Sequence, residues 1–232
     1  MLARAVAILT RHQSDPCLFD RVVRGIFAYG SPQMQVIADA RLIATEAHRH
    51  DKRHDGEEYI RHPEFVAVIA MEYLGVTDEI EIGGCLLHDV CEDHAVEWPI
   101  YRLREKVGKE MAEAVDWVNM RRFDHMEDTG EAHRLYFHNL LNVAPLRSVR
   151  IKLCDQFHNG LTPWNLADKG WVSHKVHDLR EYYIPMAKKF GILYQELIQV
   201  SEALEKGTCL LSARSLCQSV PVVGVKEEQH HC

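Results

Sequence analysis

The run Gly84-Cys-Leu-Leu-His-Asp-Val-Cys-Glu-Asp93 gathers His88, Asp89, Glu92 and Asp93 into one short stretch. In a helix, residues four apart share a face, so His88 would lie under Glu92 and Asp89 under Asp93. One edge of one helix would then present two metal-ligand side chains and two acid/base groups. A helix that buries such a face does so around a cation, because unpaired charge is costly away from water.

Two more residues complete a ligand set. His62 sits at a defined corner before Pro63, and Asp155 lies on a later segment predicted helical. Together His62, His88, Asp89 and Asp155 offer two imidazoles and two carboxylates. That set suits Mn²⁺, Fe²⁺ or Zn²⁺ better than Ca²⁺, whose shells are all oxygen. Open positions on such an ion would take a water and substrate oxygens, and the ion would acidify the water and polarise a phosphoryl oxygen. Each residue has a plainer reading taken singly. A His beside a proline is structural more often than ligating, a lone Asp caps or pairs, and fifteen histidines make chance doublets common. The weight lies in the joint pattern.

The elements that must position these groups all read as helices. Apolar residues at Ile37, Ala40, Ile43, Ala44 and Ala47 predict a helix over 38–49. A polar, Gly-containing loop follows over 50–61. Pro63 opens a helix that stops at Gly75. Thr77-Asp-Glu-Ile resembles an N-cap with acidic first-turn residues, and it starts the helix that reaches His88. Helices are predicted over 99–107 and 109–120, a mobile loop over 121–134, and a helix over 145–158. A loop over 160–170 and helices over 173–190 and 193–206 complete the pattern. Residues 220–225 could form a short strand, though nothing evident would pair with it. The expected fold class is all-α, with an N-terminal helical extension over 1–35, the main domain over 36–206 and a flexible tail over 207–232.

Composition narrows the function classes. The 232 residues suffice for one sizeable domain, and 47% hydrophobic content supports a packed core. A net charge of −7 without a basic run speaks against a nucleic-acid polymer as partner. The seven cysteines form no CxxC pair, so neither a zinc ribbon nor a secreted disulfide framework is expected. Cys85, Cys91 and Cys154 read as small buried hydrophobes. No signal peptide and no apolar run near 18 residues is evident, so no membrane span and a cytoplasmic location are expected.

The motifs, in their order, resemble the HD-domain hydrolases of the RelA/SpoT group, which remove the 3′-diphosphate from guanosine tetra- and pentaphosphate. Ala47-His48, Arg53 and Gly56-Glu-Glu-Tyr59-Ile-Arg-His62-Pro63 resemble that family's "AH…RK.G.PYI.HP". Cys85–Asp93 resembles "A.LLHDVVEDT". Ile151-Lys-Leu-Cys-Asp155-Gln-Phe-His-Asn159, with Thr162, resembles "VKLADRLHN…T", and Val115-Asp-Trp-Val118 is similar to a weaker motif. The resemblance spans about residues 36–190. It implies an HD-type helical bundle with one Mn²⁺ at His62, His88, Asp89 and Asp155, and Glu92 and Asp93 as the catalytic dyad. The substrate contacts it suggests, with neighbouring groups added, are Arg53, His54, Tyr59, Lys152, Asn159 and Thr162. The expected partner is a small nucleotide, in a stand-alone alarmone hydrolase without the synthetase domain of the long members. His54, Asp55, Gln156 and Asn119-Met120 depart from the family pattern, mostly toward less positive charge. Two other readings remain: an HD phosphohydrolase acting on another nucleotide (a 5′-nucleotidase or an NADPH phosphatase), and a degenerate HD module that only binds nucleotide.

Overall fold

The computed structural model of the chain describes residues 2–54, 56–163 and 166–210. Asp55, the 220–225 segment and most of the predicted tail lie outside the described residues. Among those described, every regular element is helical, and the only strand-like feature is an isolated antiparallel bridge between Lys52 and Glu58.

The helix α5 (Glu79–Leu87) is the centre of the bundle. Asp78 starts it, its side chain accepting from the Ile80 amide at 2.9 Å. Around it pack α3 (Pro32–Ala47), α4 (Arg61–Val68), α8 (Lys109–Val118) and α10 (Leu146–Leu161). Gly83 and Gly84 permit this crowding. A Cβ at Gly84 would stand 2.7 Å from Ile151 Cδ1, and one at Gly83 would collide with Met111. A fork from Arg150 to both oxygens of the fully buried Glu81 ties α10 to α5.

Several boundaries differ from those read in the sequence. Helix α3 begins at Pro32, with Ser31 capping the Met34 amide at 3.3 Å. Helix α4 runs on through a π-turn, Ile69–Tyr73, before Gly75 adopts φ +72°. The segment 121–134, read as a mobile loop, is a 3₁₀ turn (Met120–Phe123) followed by α9 (Thr129–Asn142). Its charge hid a cap: Asp128 accepts from the Glu131 amide at 2.9 Å. Helix α10 ends at Leu161 rather than His158. The predicted 173–190 helix is α11 (Lys169–Asp178), a π-turn (Leu179–Tyr183) and α12 (Ile184–Phe190), started by Asp168. Then α13 (Tyr194–Glu205) closes the bundle.

The first two helices, α1 (Leu2–Ser14) and α2 (Leu18–Ile26), share this core. Ile8, Leu9, Phe19 and Val22 belong to the same apolar cluster as Phe65, Leu86 and Phe157. A buried acid binds the two parts together. Glu64 receives Arg41 Nε and Arg61 Nη1, both at 2.9 Å, and Arg41 also reaches Asp20 on α2.

Candidate metal centre

The helix carrying the His-Asp pair is broken at that pair. Helix α5 stops at Leu87, His88 and Asp89 form a turn, and a short α6 (Val90–Asp93) follows. This corrects the single-helix reading. Asp89 occupies the N-cap of α6 but makes no side-chain cap there. Its carboxylate turns instead toward the histidines.

The four expected ligands converge. His62 Nε2 and His88 Nε2 are 3.2 Å apart. Asp89 Oδ2 lies 3.4 Å and 3.1 Å from these two nitrogens, and Asp155 Oδ1 lies 3.3 Å and 3.6 Å from them. His62, His88 and Asp155 are almost wholly buried. The outer ring nitrogens fix which face points inward. His88 Nδ1 donates to the Cys85 carbonyl at 2.8 Å, so Nε2 offers a lone pair to the centre. His62 Nδ1 contacts His158 Nδ1 at 2.7 Å, which again leaves Nε2 inward.

Electrostatics point the same way. Burial disfavours the charged His88 ring, yet Asp89 and Asp155 outweigh it and hold its pKa well above the usual value. Burial pushes the Asp89 and Asp155 carboxyls up, yet their surroundings hold both well below the usual range, through His88 and His62 for Asp89 and chiefly Lys152 for Asp155. Two carboxylates facing the two Nε2 atoms draw positive charge into the site. A divalent cation with N/O preference fits that donor set.

The surrounding groups hold Asp155 in place. Its Oδ1 accepts from Asn159 Nδ2 at 2.6 Å, and its Oδ2 accepts from Gln156 Nε2 at 2.9 Å, with Lys152 Nζ at 3.2 Å. Lys152 is therefore an ion-pair partner of a ligand within the core. Tyr59 donates its hydroxyl to Asp89 Oδ2 at 2.7 Å. Glu92 is steadied from α8's end, where the Met120 amide reaches its Oε2 at 3.4 Å and Arg121 grips its carbonyl. Asp93 is exposed at its outer edge. Partial burial and the charges of Asp89 and Glu92 push its carboxyl up to about 6, an effect that solvent screens in part.

A third group adjoins these. Arg53 Nη2 lies 3.4 Å from both Asn159 Oδ1 and Thr162 Oγ1, and its guanidinium lies 5.9 Å from the Tyr59 ring centre. Because α10 runs past Asn159, Asp155 and Asn159 stand on one face, one turn apart. His54 lies on the exposed part of the same loop as Arg53. Two residues here escaped the sequence reading. His158 backs His62, and its partner lies 96 positions away. Lys175 donates to Gln156 Oε1 at 2.6 Å, which returns a positive charge behind the position where the sequence lacks one.

Helices packed on a central helix that ends in a His-Asp pair define a helical bundle with a candidate metal centre, and comparison with known proteins gives it a family. Residues 40–193 match the family model described as HD domain, so the chain belongs to the HD-domain family. It is 32% identical over 163 residues to the bifunctional (p)ppGpp synthase/hydrolase SpoT of Escherichia coli K12, covering 69% of this chain and 22% of that protein. It is 35% identical over 155 residues to a guanosine-3′,5′-bis(diphosphate) 3′-pyrophosphohydrolase of Haemophilus influenzae, covering 65% and 22%. The chain thus matches about a fifth of the length of these relatives. A solved structure described as a metazoan ortholog of SpoT that hydrolyzes ppGpp shares the fold, with a TM-score of 0.55 and 24% identity. That match covers 80% of this chain and all of the other. No helix among the described residues is long and apolar enough to cross a membrane.

Proposed function

We propose that this chain hydrolyses the 3′-diphosphate of guanosine tetra- or pentaphosphate, releasing pyrophosphate and GDP or GTP. The observation that carries this is the convergence of His62, His88, Asp89 and Asp155 beside Glu92, Asp93 and the Arg53–Asn159–Thr162 group. The relatives named above, whose names state this activity or its substrate, support it. These four ligands would hold Mn²⁺, which when bound supplies Lewis-acid polarisation of phosphate oxygens and acidifies a water.

The chain's own groups do the rest. Glu92, steadied by the Met120 amide, takes the proton of the attacking water as it adds to the phosphorus joined to O3′. The P–O3′ bond breaks, O3′ takes a proton, and pyrophosphate leaves. Asp93, whose carboxyl is pushed up, is suited to give that proton. Arg53 neutralises phosphate charge, and Asn159 and Thr162 hold the sugar edge. The substrate is a small nucleotide, and a cytoplasmic location fits it.

Incubation with guanosine tetraphosphate and Mn²⁺, with products separated by ion exchange, tests this. Pyrophosphate with GDP is the expected pair. Release of orthophosphate would refute it and assign the site to another nucleotide. No turnover of any nucleotide, with the metal bound, would leave a binding module.

A further inference from the structure

A second group of ligand-type side chains lies on the flank of this pocket and takes no part in the mechanism above. His48 caps the C-terminus of α3, Asp51 follows in the loop, and His94 comes directly after α6. His48 Nδ1 lies 2.8 Å from Asp51 Oδ2, His94 Nε2 lies 2.7 Å from the same oxygen, and the two nitrogens are 3.2 Å apart. Three potential ligand atoms therefore close a triangle.

Protons satisfy this triangle only with crowding. Each ring nitrogen carries at most one hydrogen. If both N–H groups point at Asp51 Oδ2, the two nitrogens face each other as donors at 3.2 Å. If one N–H instead points at the other nitrogen, the acceptor ring meets the carboxylate lone pair to lone pair. A cation among the three atoms satisfies all of them at once.

The surroundings favour it. The backbone holds each ligand: the Asp51 amide donates to the His48 carbonyl at 3.0 Å, and the Trp98 amide donates to the His94 carbonyl at 2.7 Å. The His48 side chain is 1% exposed, its other nitrogen Nε2 is buried without a partner, and only Nδ1 is offered. Burial opposes the charged form of that ring and lowers its pKa, which favours the neutral imidazole that a metal binds. Asp51 and His94 are 35% and 21% exposed, which leaves the outer side open for a water to complete the shell. The Asp89 carboxylate nearby adds negative potential.

We propose that His48, Asp51 and His94 form a second cation site, separate from the His62–Asp155 centre and selective for Zn²⁺ or a similar first-row ion. Two imidazoles, one carboxylate and an open position are a donor set that Zn²⁺ accepts. The site is a clamp on the pocket wall. The Tyr59 ring stacks on His48 with centres 4.4 Å apart, and the Tyr59 hydroxyl reaches Asp89. An ion that immobilises His48 thereby immobilises the ring that orients a ligand of the first centre.

The test is zinc stoichiometry of the full chain. The protein is stripped with chelator, loaded with Zn²⁺, passed over a desalting column and assayed for metal and protein. Wild type, His94→Ala, Asp51→Asn, Asp155→Ala and the Asp155→Ala/His94→Ala double variant are compared, so that zinc held by other cysteines or histidines cancels in the differences. His94→Ala and Asp51→Asn should each bind one equivalent less than wild type, and the double variant one less than Asp155→Ala. Zinc should raise the melting temperature of Asp155→Ala and fail to do so in the double variant. Asp51→Asn preserves side-chain shape and carries the test if His94→Ala folds poorly. Equal uptake by wild type and both single variants would overturn the proposal, as would equal uptake by Asp155→Ala and the double variant. Neither result bears on the hydrolysis reaction, which rests on the other four ligands.

Discussion

Acid should destabilise this protein through a histidine that is not one of the four candidate ligands, and one substitution should remove the effect. The His12 ring is fully buried, edge-on to Phe65 at 4.1 Å, and neither ring nitrogen has a hydrogen-bond partner. Glu64 lies 3.9 Å away, yet Arg41 and Arg61 already engage it. Burial first, and then the charges of Arg61 and Arg41, lower the His12 pKa to about 3. Unfolded, the ring titrates near its ordinary value of about 6.5. Between these values the unfolded chain binds a proton that the folded chain refuses. Stability from this group is therefore complete above about pH 6.5 and is lost as the pH falls toward 3. At pH 5 the loss is about 1.5 pH units' worth, or about 2 kcal/mol, which for a chain of this size lowers Tm by about 4–8 °C.

Thermal unfolding of wild type and His12→Phe at pH 7.5 and pH 5, with chelator present throughout, measures it. Phe keeps an aromatic edge against Phe65 and carries no proton. His48 and His158 also have lowered pKa values and His88 a raised one, but both proteins share these, so they cancel in the comparison. The Tm fall from pH 7.5 to pH 5 should be smaller in His12→Phe by about 4–8 °C. Equal falls in the two proteins would refute the argument, because His12 would then be protonated in the folded state or hydrated in place.

Asp155→Ala should remove the ion of the first centre and the turnover together, seen as one equivalent less Mn²⁺ by metal analysis. Glu92→Gln should retain that ion while turnover falls by about 10²–10⁴-fold in a product-release assay. Tyr59→Phe deletes the 2.7 Å hydrogen bond to Asp89 and keeps the ring on His48, so Mn²⁺ affinity measured against a competing indicator should weaken by about 10–100-fold.

Local runs were legible in the sequence, and cross-chain pairings were not. The His88-Asp89 pair, Asp155 with Asn159, and His62 with Pro63 announce themselves because ligand-type residues sit close together on predicted helices. The joint pattern of residue types suggested His62, His88, Asp89 and Asp155 as candidate ligands, and the fold brings the four together. What type and spacing omit is which atom each residue spends and on whom. Lys152 has the charge of a phosphate contact, but its ammonium lies 3.2 Å from Asp155 Oδ2 in the core. Asp51 and His94 are 43 positions apart and lie in segments without periodicity, so no pattern in the chain joins them. The charge balance shows the difference most sharply. Position by position, Gln156 is a neutral residue beside a metal ligand and marks a loss of positive charge. In the fold, its Nε2 serves Asp155 while its Oε1 accepts from Lys175, nineteen residues on. A lysine thus stands one residue further out, behind a neutral relay, and an inventory of single positions cannot register that placement.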